Sequence, residues 1–242
     1  MLWTDEGVLL TARRHGESNA IVSVFTAEHG RYAGLVRGGF GRKARPVYQP
    51  GNLLQVTWRA RLPEQLGALT GELKVPLAAR LMADPDRLAG LAAACALLET
   101  TLPERDPHPA LYAALGALLK QLVGDFAWLE GYIRFELALL AELGFGLDLG
   151  RCAVTGTSED LVYVSPASGR AVSRDGAGIY ADRLLALPPF LLGRAAADPA
   201  QLAAGLRLTG AFLRRHLFDA SDRAMPEARD RLLARLTRST DP

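Results

Sequence analysis

A change in hydrophobic period at Val75-Pro76 divides the sequence into a strand-rich part and a helix-rich part. Before this point, five short segments rich in branched and aromatic residues follow one another at regular spacing, as strands of a small β fold do. Such strands suit a closed barrel, because closure leaves no sheet edge exposed. We predict an OB-type barrel over residues 1–80, although an SH3-like barrel would give much the same pattern. The predicted strands lie at residues 8–10, 20–25, 31–36, 52–58 and 68–75.

The remainder, residues 81–242, has the signals of a helical domain. Asp-Pro pairs at 84–85, 106–107 and 198–199 each place an N-cap acceptor before a proline at the first helical position. Another segment has apolar residues at helical spacing along one face. With the proline at 226, these signals predict helices at residues 85–101, 107–123, 126–143, 199–217 and 226–237. The predicted fold class is therefore α+β and multidomain.

Residues 151–176 interrupt the helices with a predicted β-hairpin. Its strands are Leu161–Val164 and Ala171-Val172, joined by a turn. A two-stranded hairpin is only marginally stable by itself, so this one needs support from the helices or from a clip. The sequence therefore predicts a short β unit inserted into the helical domain.

Of the four positions that would bind zinc and so hold such a hairpin together, only one carries a zinc ligand. Zinc ribbons place two Cys-x2-Cys pairs about 15–20 residues apart. The register with this spacing is occupied by Cys152, Thr155, Ser173 and Gly176. One thiolate with two neutral hydroxyls is a poor zinc site. We predict a degenerate zinc ribbon without metal, and no other cofactor is indicated.

Positive charge is concentrated in one part of the predicted barrel. Between residues 31 and 61 the chain has seven basic residues and no Asp or Glu, while its net charge is only +2. A surface of one sign attracts nucleic acid, because each neutralised phosphate releases a counterion. An anionic protein tail would be attracted in the same way. The predicted DNA-binding residues are Arg31, Arg37, Arg42, Lys43, Arg45, Arg59 and Arg61.

The glycine-rich segment Arg37–Lys43 is the sharpest candidate within this set. Its glycines allow the backbone to approach a phosphate closely, and Phe40 offers a ring for stacking on a base. The alternative is a solvated, flexible connection between two strands. Trp58 offers a second ring, but a tryptophan in a strand more often belongs to the core.

Catalytic motifs are missing from the sequence. It contains no Gly-x-Ser-x-Gly elbow, no His-Glu-x-x-His and no dinucleotide-binding glycine motif between a strand and a helix. No apolar run reaches the roughly 18 residues that a membrane-spanning helix needs. The first residues are acidic where a secretory signal would be basic. These observations predict a cytoplasmic protein that is not an enzyme.

Seven further segments are weak motifs individually, but their order and spacing along the chain are specific. They are Trp3–Leu10, Arg13–Ser18, Thr26–Gly30, Leu35–Gly39, Gln49–Asn52, Glu142–Leu149 and Leu161–Pro166. In this arrangement the chain resembles the RecO recombination-mediator family. The resemblance covers nearly the whole chain, and it is strongest before residue 60 and from residue 136 to residue 185.

This resemblance implies an N-terminal OB fold, a helical domain and an inserted ribbon that holds zinc in many members. It also implies a bacterial, nucleoid-associated DNA repair protein of the RecF recombination pathway, which binds single- and double-stranded DNA and anneals complementary strands without catalytic turnover. The implied partners are RecR, the acidic C-terminal tail of the single-strand-binding protein and, indirectly, RecA. The chain departs from the family at the zinc ligands, of which it keeps only Cys152.

Two other functions fit the basic barrel itself. An OB module that binds RNA or the ribosome needs the same positive surface, and so does a scaffold that grips an acidic peptide. Competition between DNA and structured RNA separates the first alternative from DNA binding. Peptide binding at the barrel without any DNA binding would favour the second.

Overall fold

The computed structural model describes residues 1–62, 64–124, 127–194 and 196–239. The chain forms two compact units. Within these ranges, the first contains Met1–Phe126 and Pro226–Arg238, and the second contains Ala127–Met225. The division predicted after residue 80 lies inside the first unit. Within the described ranges, no helix combines the length and the apolarity needed to span a membrane.

Five strands of the first unit close into a barrel. They are β1 (Leu2–His15), β2 (Asn19–Thr26), β3 (Gly30–Val36), β4 (Leu53–Arg59) and β5 (Gly67–Val75). Their order around the barrel is β1-β2-β3-β5-β4, and β4 pairs with β1. Only β3 and β5 are parallel, in a short seam where Gly34 and Leu35 face Gly67 and Ala68. Because β5 lies between β3 and β4, the barrel is of the predicted OB type and not an SH3-like meander.

The inside of the barrel is filled because strand residues alternate between the core and the solvent. In β3, buried and half-buried residues alternate along the whole strand. Trp58 is fully buried, and its indole N–H donates to the Ala33 carbonyl oxygen at 3.1 Å. Trp58 therefore belongs to the core, which is the environment that its position in a strand favoured over an exposed one. The buried side chains around it include Trp3, Val22, Val24, Tyr32, Leu54 and Val56.

Helices complete the first unit. They are α1 (Leu77–Arg80), which was not predicted, α2 (Pro85–Thr101), α3 (Pro109–Val123) and the final helix α7 (Glu227–Ser239). The Asp84 carboxylate accepts from two amides in the first turn of α2, as predicted for an N-cap. α3 begins two residues later than predicted, because a residue that precedes a proline avoids the helical region and His108 precedes Pro109.

The final helix returns to the first unit across a long stretch of sequence. Leu232 on this helix is fully buried. Arg235 Nε lies 2.9 Å from Asp86 Oδ1, at the start of α2. The helix predicted at residues 226–237 is therefore confirmed, and it forms part of the unit that contains the barrel.

The second unit has two long helices, α4 (Trp128–Glu142) and α6 (Pro199–Leu213). The sequence predicted that α4 begins at Phe126, which lies outside the described residues. α6 is shorter than the predicted 199–217 helix, because the backbone widens into a π turn over Arg214–Phe218. Both helices are otherwise where the sequence placed them.

A small sheet accompanies these helices. Strands β6 (Leu161–Val164) and β7 (Ala171–Ser173) form the predicted hairpin, and the one-turn helix α5 (Arg174–Ala177) follows. A third strand, β8 (Leu185–Ala186), pairs with β6. The sequence did not predict β8, because two residues are too few to show an alternating pattern. This extra strand supplies part of the support that the hairpin needs.

Candidate nucleic-acid interface

The connection between β3 and β4 carries most of the predicted DNA-binding residues and is hydrogen-bonded to the turn between β1 and β2. We call residues 37–49 the basic loop. Gly38 has a φ of +65°, and its N–H donates to Asn19 Oδ1 at 3.0 Å. The Phe40 N–H donates to the Ser18 carbonyl oxygen at 2.9 Å. These bonds fasten the basic loop to the turn between β1 and β2.

The second half of the basic loop winds into helical turns. The Arg45 N–H donates to the Gly41 carbonyl oxygen at 2.9 Å, and the Tyr48 N–H donates to that of Ala44 at 3.2 Å. Residues three or four apart therefore share one side of the turn. The turn presents Ala44 and Tyr48 on one side and the arginines at 42 and 45 on another.

Six of the seven predicted DNA-binding residues have exposed side chains. None of the six is in an ion pair within the described part of the chain, so their charges are available to an anion from solution. They occupy the basic loop and the end of β4 with the residues after it. The six are Arg37, Arg42, Lys43, Arg45, Arg59 and Arg61.

Arg31 lies in a different environment from the other six. Its Nη1 is 3.5 Å from Glu99 Oε1 and 3.6 Å from Glu104 Oε1, and its Nε donates to the Leu102 carbonyl oxygen at 2.9 Å. Its side chain is only 14% exposed. Because two carboxylates balance its charge, we leave Arg31 out of the proposed interface and assign it to the attachment of α2 to the barrel.

Replacement of Arg31 by alanine is expected to lower the free energy of unfolding by about 1–3 kcal/mol, because the half-buried Glu99 loses its partner. The salt dependence of single-stranded DNA binding should not change. Chemical denaturation and salt-dependent titration measure the two quantities separately. A reduced salt slope at unchanged stability would instead return Arg31 to the interface.

A first groove on the barrel brings three of the predicted residues together. It has a volume of about 600 Å³ and lies beside the parallel seam between β3 and β5. Arg37, Arg59 and Arg61 line it, and Ala44 and Tyr48 form part of its wall. In OB folds, the loop between β4 and β5, which here includes Arg61, commonly contacts nucleic acid. We call this cavity the seam groove.

A second groove lies on the other side of the basic loop. It has a volume of about 620 Å³ and is lined by Arg42 and Arg45. Phe40, Met82 and Leu88 add apolar surface to it. Lys43 lines neither groove. We call this second cavity the loop groove, and it shares no lining residue with the seam groove among those that the structure describes.

Phe40 is only partly available as a stacking ring. The side chain is half-buried against the barrel core. The Arg14 guanidinium carbon lies 5.3 Å from the centre of its ring, which is a cation–π contact. The remaining surface of Phe40 faces the loop groove. Arg14, on β1, thus contacts a residue that lines the loop groove, and its sequence position outside the basic cluster gave no sign of this.

A third groove in the first unit is mainly apolar. Its volume is about 520 Å³, and its walls include Leu53, Val75 and Leu119. Two exposed cations, Arg80 and Lys120, line it, and so does one acidic residue. No sequence pattern indicated this groove, because its residues come from three strands and two helices. We call it the apolar groove.

The degenerate zinc register of the second unit folds into one cluster around Cys152. Its Sγ accepts from the Ser173 N–H at 3.2 Å, the Ser173 hydroxyl at 3.3 Å and the Thr155 N–H at 3.4 Å. Gly176 offers no side chain, and a Cβ there would lie 2.8 Å from Sγ. One thiol and two hydroxyls do not fit zinc, which prefers four cysteine or histidine ligands.

Hydrogen bonds stabilise the negative charge on Cys152. Burial opposes ionisation, but the donors from Ser173 and Thr155 outweigh it and lower the pKa of the Cys152 thiol to about 6. Cys95 shows the opposite behaviour, because burial and then the charge of Glu99 raise its pKa to about 12. Hydrogen bonds to the Cys152 sulfur thus connect residues from both ends of the degenerate zinc register.

This arrangement predicts a pH-dependent stability. The unfolded thiol titrates near pH 8.5, so between about pH 6 and 8.5 the unfolded chain binds more protons than the folded one. Stability from Cys152 should therefore rise with pH in this window, by up to about 1.4 kcal/mol per pH unit, and be lost as the pH falls through 6. Denaturation at several pH values measures the trend. Cys152→Ser should remove it, and equal trends in both proteins would contradict the account.

Comparisons with known proteins agree with this architecture. A family model described as "Recombination protein O N terminal" matches residues 1–75, and one described as "Recombination protein O C terminal" matches residues 82–224. A relative from Cereibacter sphaeroides named "DNA repair protein RecO" is 54% identical over 242 residues, which is 99% of this chain and 100% of the relative.

Two further relatives carry the same name. The one from Rhodospirillum centenum is 52% identical over 97% of this chain and 94% of its own length. The one from Ruegeria sp. is 51% identical over 98% and 99% of the two chains. Two family models that together cover most of the chain, and relatives that match it nearly from end to end, lead to one conclusion: the chain belongs to the RecO family of DNA repair proteins.

Proposed function

We propose that the chain binds single- and double-stranded DNA on the basic side of its barrel and promotes annealing of complementary strands. One observation carries this proposal: an OB barrel presents six exposed cations without ion-pair partners among the described residues, and five of them line two grooves. Net charge does not explain such an arrangement, because the chain as a whole carries only +2. Membership of a family of DNA repair proteins supports DNA as the polyanion that these cations would bind.

The chemistry of annealing follows from phosphate contacts. Guanidinium groups neutralise the repulsion between two strands, and they hold the backbone while the base edges stay free to pair. The six cations lie on loops and strand ends, and no helix or ribbon shaped for a DNA groove presents them. We therefore expect weak sequence preference and a strong dependence of affinity on salt. No catalytic turnover is part of this function.

A strand-annealing assay tests the proposal. Complementary oligonucleotides are mixed with the protein, with and without prior coating by a single-strand-binding protein, and duplex formation is followed by fluorescence. The expected result is faster annealing at low salt, with the acceleration lost as salt rises. An absence of any affinity for oligonucleotides at low salt would end the proposal. Competition by structured RNA, if stronger than by DNA, would favour the RNA-binding alternative.

The partners of the pathway belong to the same proposal. We infer that the chain acts with RecR to help RecA replace the single-strand-binding protein on DNA. The names of the relatives and of the two family models support a role in DNA repair and recombination, and the family resemblance implies these partners. The protein would then be localised in the bacterial cytoplasm, at the nucleoid.

The apolar groove favours a second binding function within this pathway. An acidic C-terminal tail with apolar residues needs a hydrophobic trough and cations at its edge, and the groove has both. Arg80 and Lys120 would pair with the acidic groups, although Glu6 also lines the groove and opposes them. We propose this groove for the tail of the single-strand-binding protein. The experiment is a titration with the tail peptide, in which Lys120→Glu should weaken binding and Arg151→Glu, in the second unit, should not.

A further inference from the structure

The two basic grooves lie on opposite sides of a single helical turn. Ala44 and Tyr48 line the seam groove, whereas Arg42, Arg45 and Gln49 line the loop groove. This division follows from the spacing of residues around a helical turn. The turn is held at both ends by backbone hydrogen bonds, so the two grooves keep separate walls.

The two grooves share their charge but differ in their chemistry. Three arginines line the seam groove and two line the loop groove, and no carboxylate occurs among the described residues that line either one. The loop groove adds Phe40, Leu88 and the unbranched side chain of Met82. Met82 is 73% exposed, which is a large exposure for an apolar side chain. Such a surface suits the face of an unstacked base.

From this juxtaposition we infer that the loop groove is a second binding site for single-stranded DNA, which holds one strand while the seam groove holds another. The inference rests on the proposed annealing function and names the site of its second substrate. Phosphates of the second strand contact Arg42 and Arg45, and a base lies against Met82 and the free surface of Phe40. Lys43 lies in neither groove and adds its charge to the turn between the two strands.

Electrostatics explains why one turn can serve two strands. Phosphate backbones repel each other strongly within the Debye length, about 8 Å at physiological salt. Cations placed between the two backbones reduce this repulsion where the strands must meet. Because the base contacts of the loop groove are apolar, a base leaves them without breaking a hydrogen bond when its complement arrives. The second strand is therefore held by charge and released by pairing.

Energy transfer between two labelled oligothymidylates tests the inference. These strands cannot pair, so energy transfer at limiting protein reports two strands on one molecule. The wild-type protein is expected to give transfer, and Arg42→Ala with Arg45→Ala, or Met82→Glu alone, is expected to abolish it. The tight binding of one strand should persist in both variants. Their annealing rate should fall about tenfold or more, since two phosphate contacts of one strand are lost.

A matched control removes two exposed arginines of the second unit, Arg151 and Arg207, by the same change to alanine. This control should keep both the energy transfer and the annealing rate. If the loop-groove variants anneal and transfer energy as the wild type does, the second site is excluded while the proposed function stands. If the wild-type protein binds no single strand at all, the proposed function fails first and the second site falls with it.

Discussion

Replacement of Arg37, Arg59 and Arg61 by alanine is expected to lower the affinity for single-stranded DNA about 100-fold at about 0.1 M salt. These three residues line the seam groove and have no ion-pair partner among the described residues. Each lost phosphate contact reduces the slope of log affinity against log salt by about 0.7 for a single strand. Three contacts therefore reduce it by about 2, which is a factor of about 100 for a tenfold change in salt.

Fluorescence anisotropy over a range of salt concentrations measures both the affinity and the slope. A matched control removes three exposed arginines of the second unit, Arg151, Arg170 and Arg174. It changes the net charge by the same amount, so it separates local contacts from the total charge. Equal losses in both variants would mean that DNA responds to overall charge and that the seam groove is not the site.

Replacement of Trp58 by alanine is expected to cost about 3–5 kcal/mol of unfolding free energy, which is enough to unfold many domains. The indole is fully buried between Trp3 at 6.0 Å and Tyr32 at 4.9 Å, measured between ring centres. Its ring packs on Gly67, where a Cβ would lie only 2.3 Å from a ring carbon. The change leaves a large cavity and removes the hydrogen bond to the Ala33 carbonyl oxygen.

Chemical denaturation of the two proteins measures this difference. Leu2→Ala is a suitable control on the same sheet, because Leu2 is 67% exposed and its loss should change stability by less than about 0.5 kcal/mol. A loss of less than about 1 kcal/mol for Trp58→Ala would show that the barrel closes around other residues. Loss of DNA binding by this variant would follow from unfolding and would not place Trp58 at the interface.

The fold was largely predictable because its signals are local. Alternating apolar residues and glycine turns indicated all five barrel strands, and Asp-Pro pairs indicated the starts of α2 and α6. The misplaced start of α3 shows the limit of such signals, since two prolines at 107 and 109 both suit a first turn. Very short elements such as α1 and β8 carry too few residues for any pattern.

The basic residues of the proposed interface were predictable from the sequence, but their arrangement around two grooves was not. Arg31 and Arg37 look alike in the sequence, because the carboxylates that neutralise Arg31 belong to residues 99 and 104. The division of the cations into two grooves also depends on distant residues, since Met82 and Leu88 lie beyond the barrel strands. A count of charged residues identifies the proposed polyanion-binding surface, whereas long-range packing decides which cations remain available.

The return of α7 to the first unit has a consequence for biosynthesis. Residues 226–238 leave the ribosome only after residues 127–225 have been made, so the barrel unit cannot reach its final packing before then. Until then, two features stay exposed to solvent: the surface against which Leu232 packs, and the carboxylate of Asp86. A nonsense codon or a protease cut just before this helix would therefore damage the end of the molecule that was synthesised first.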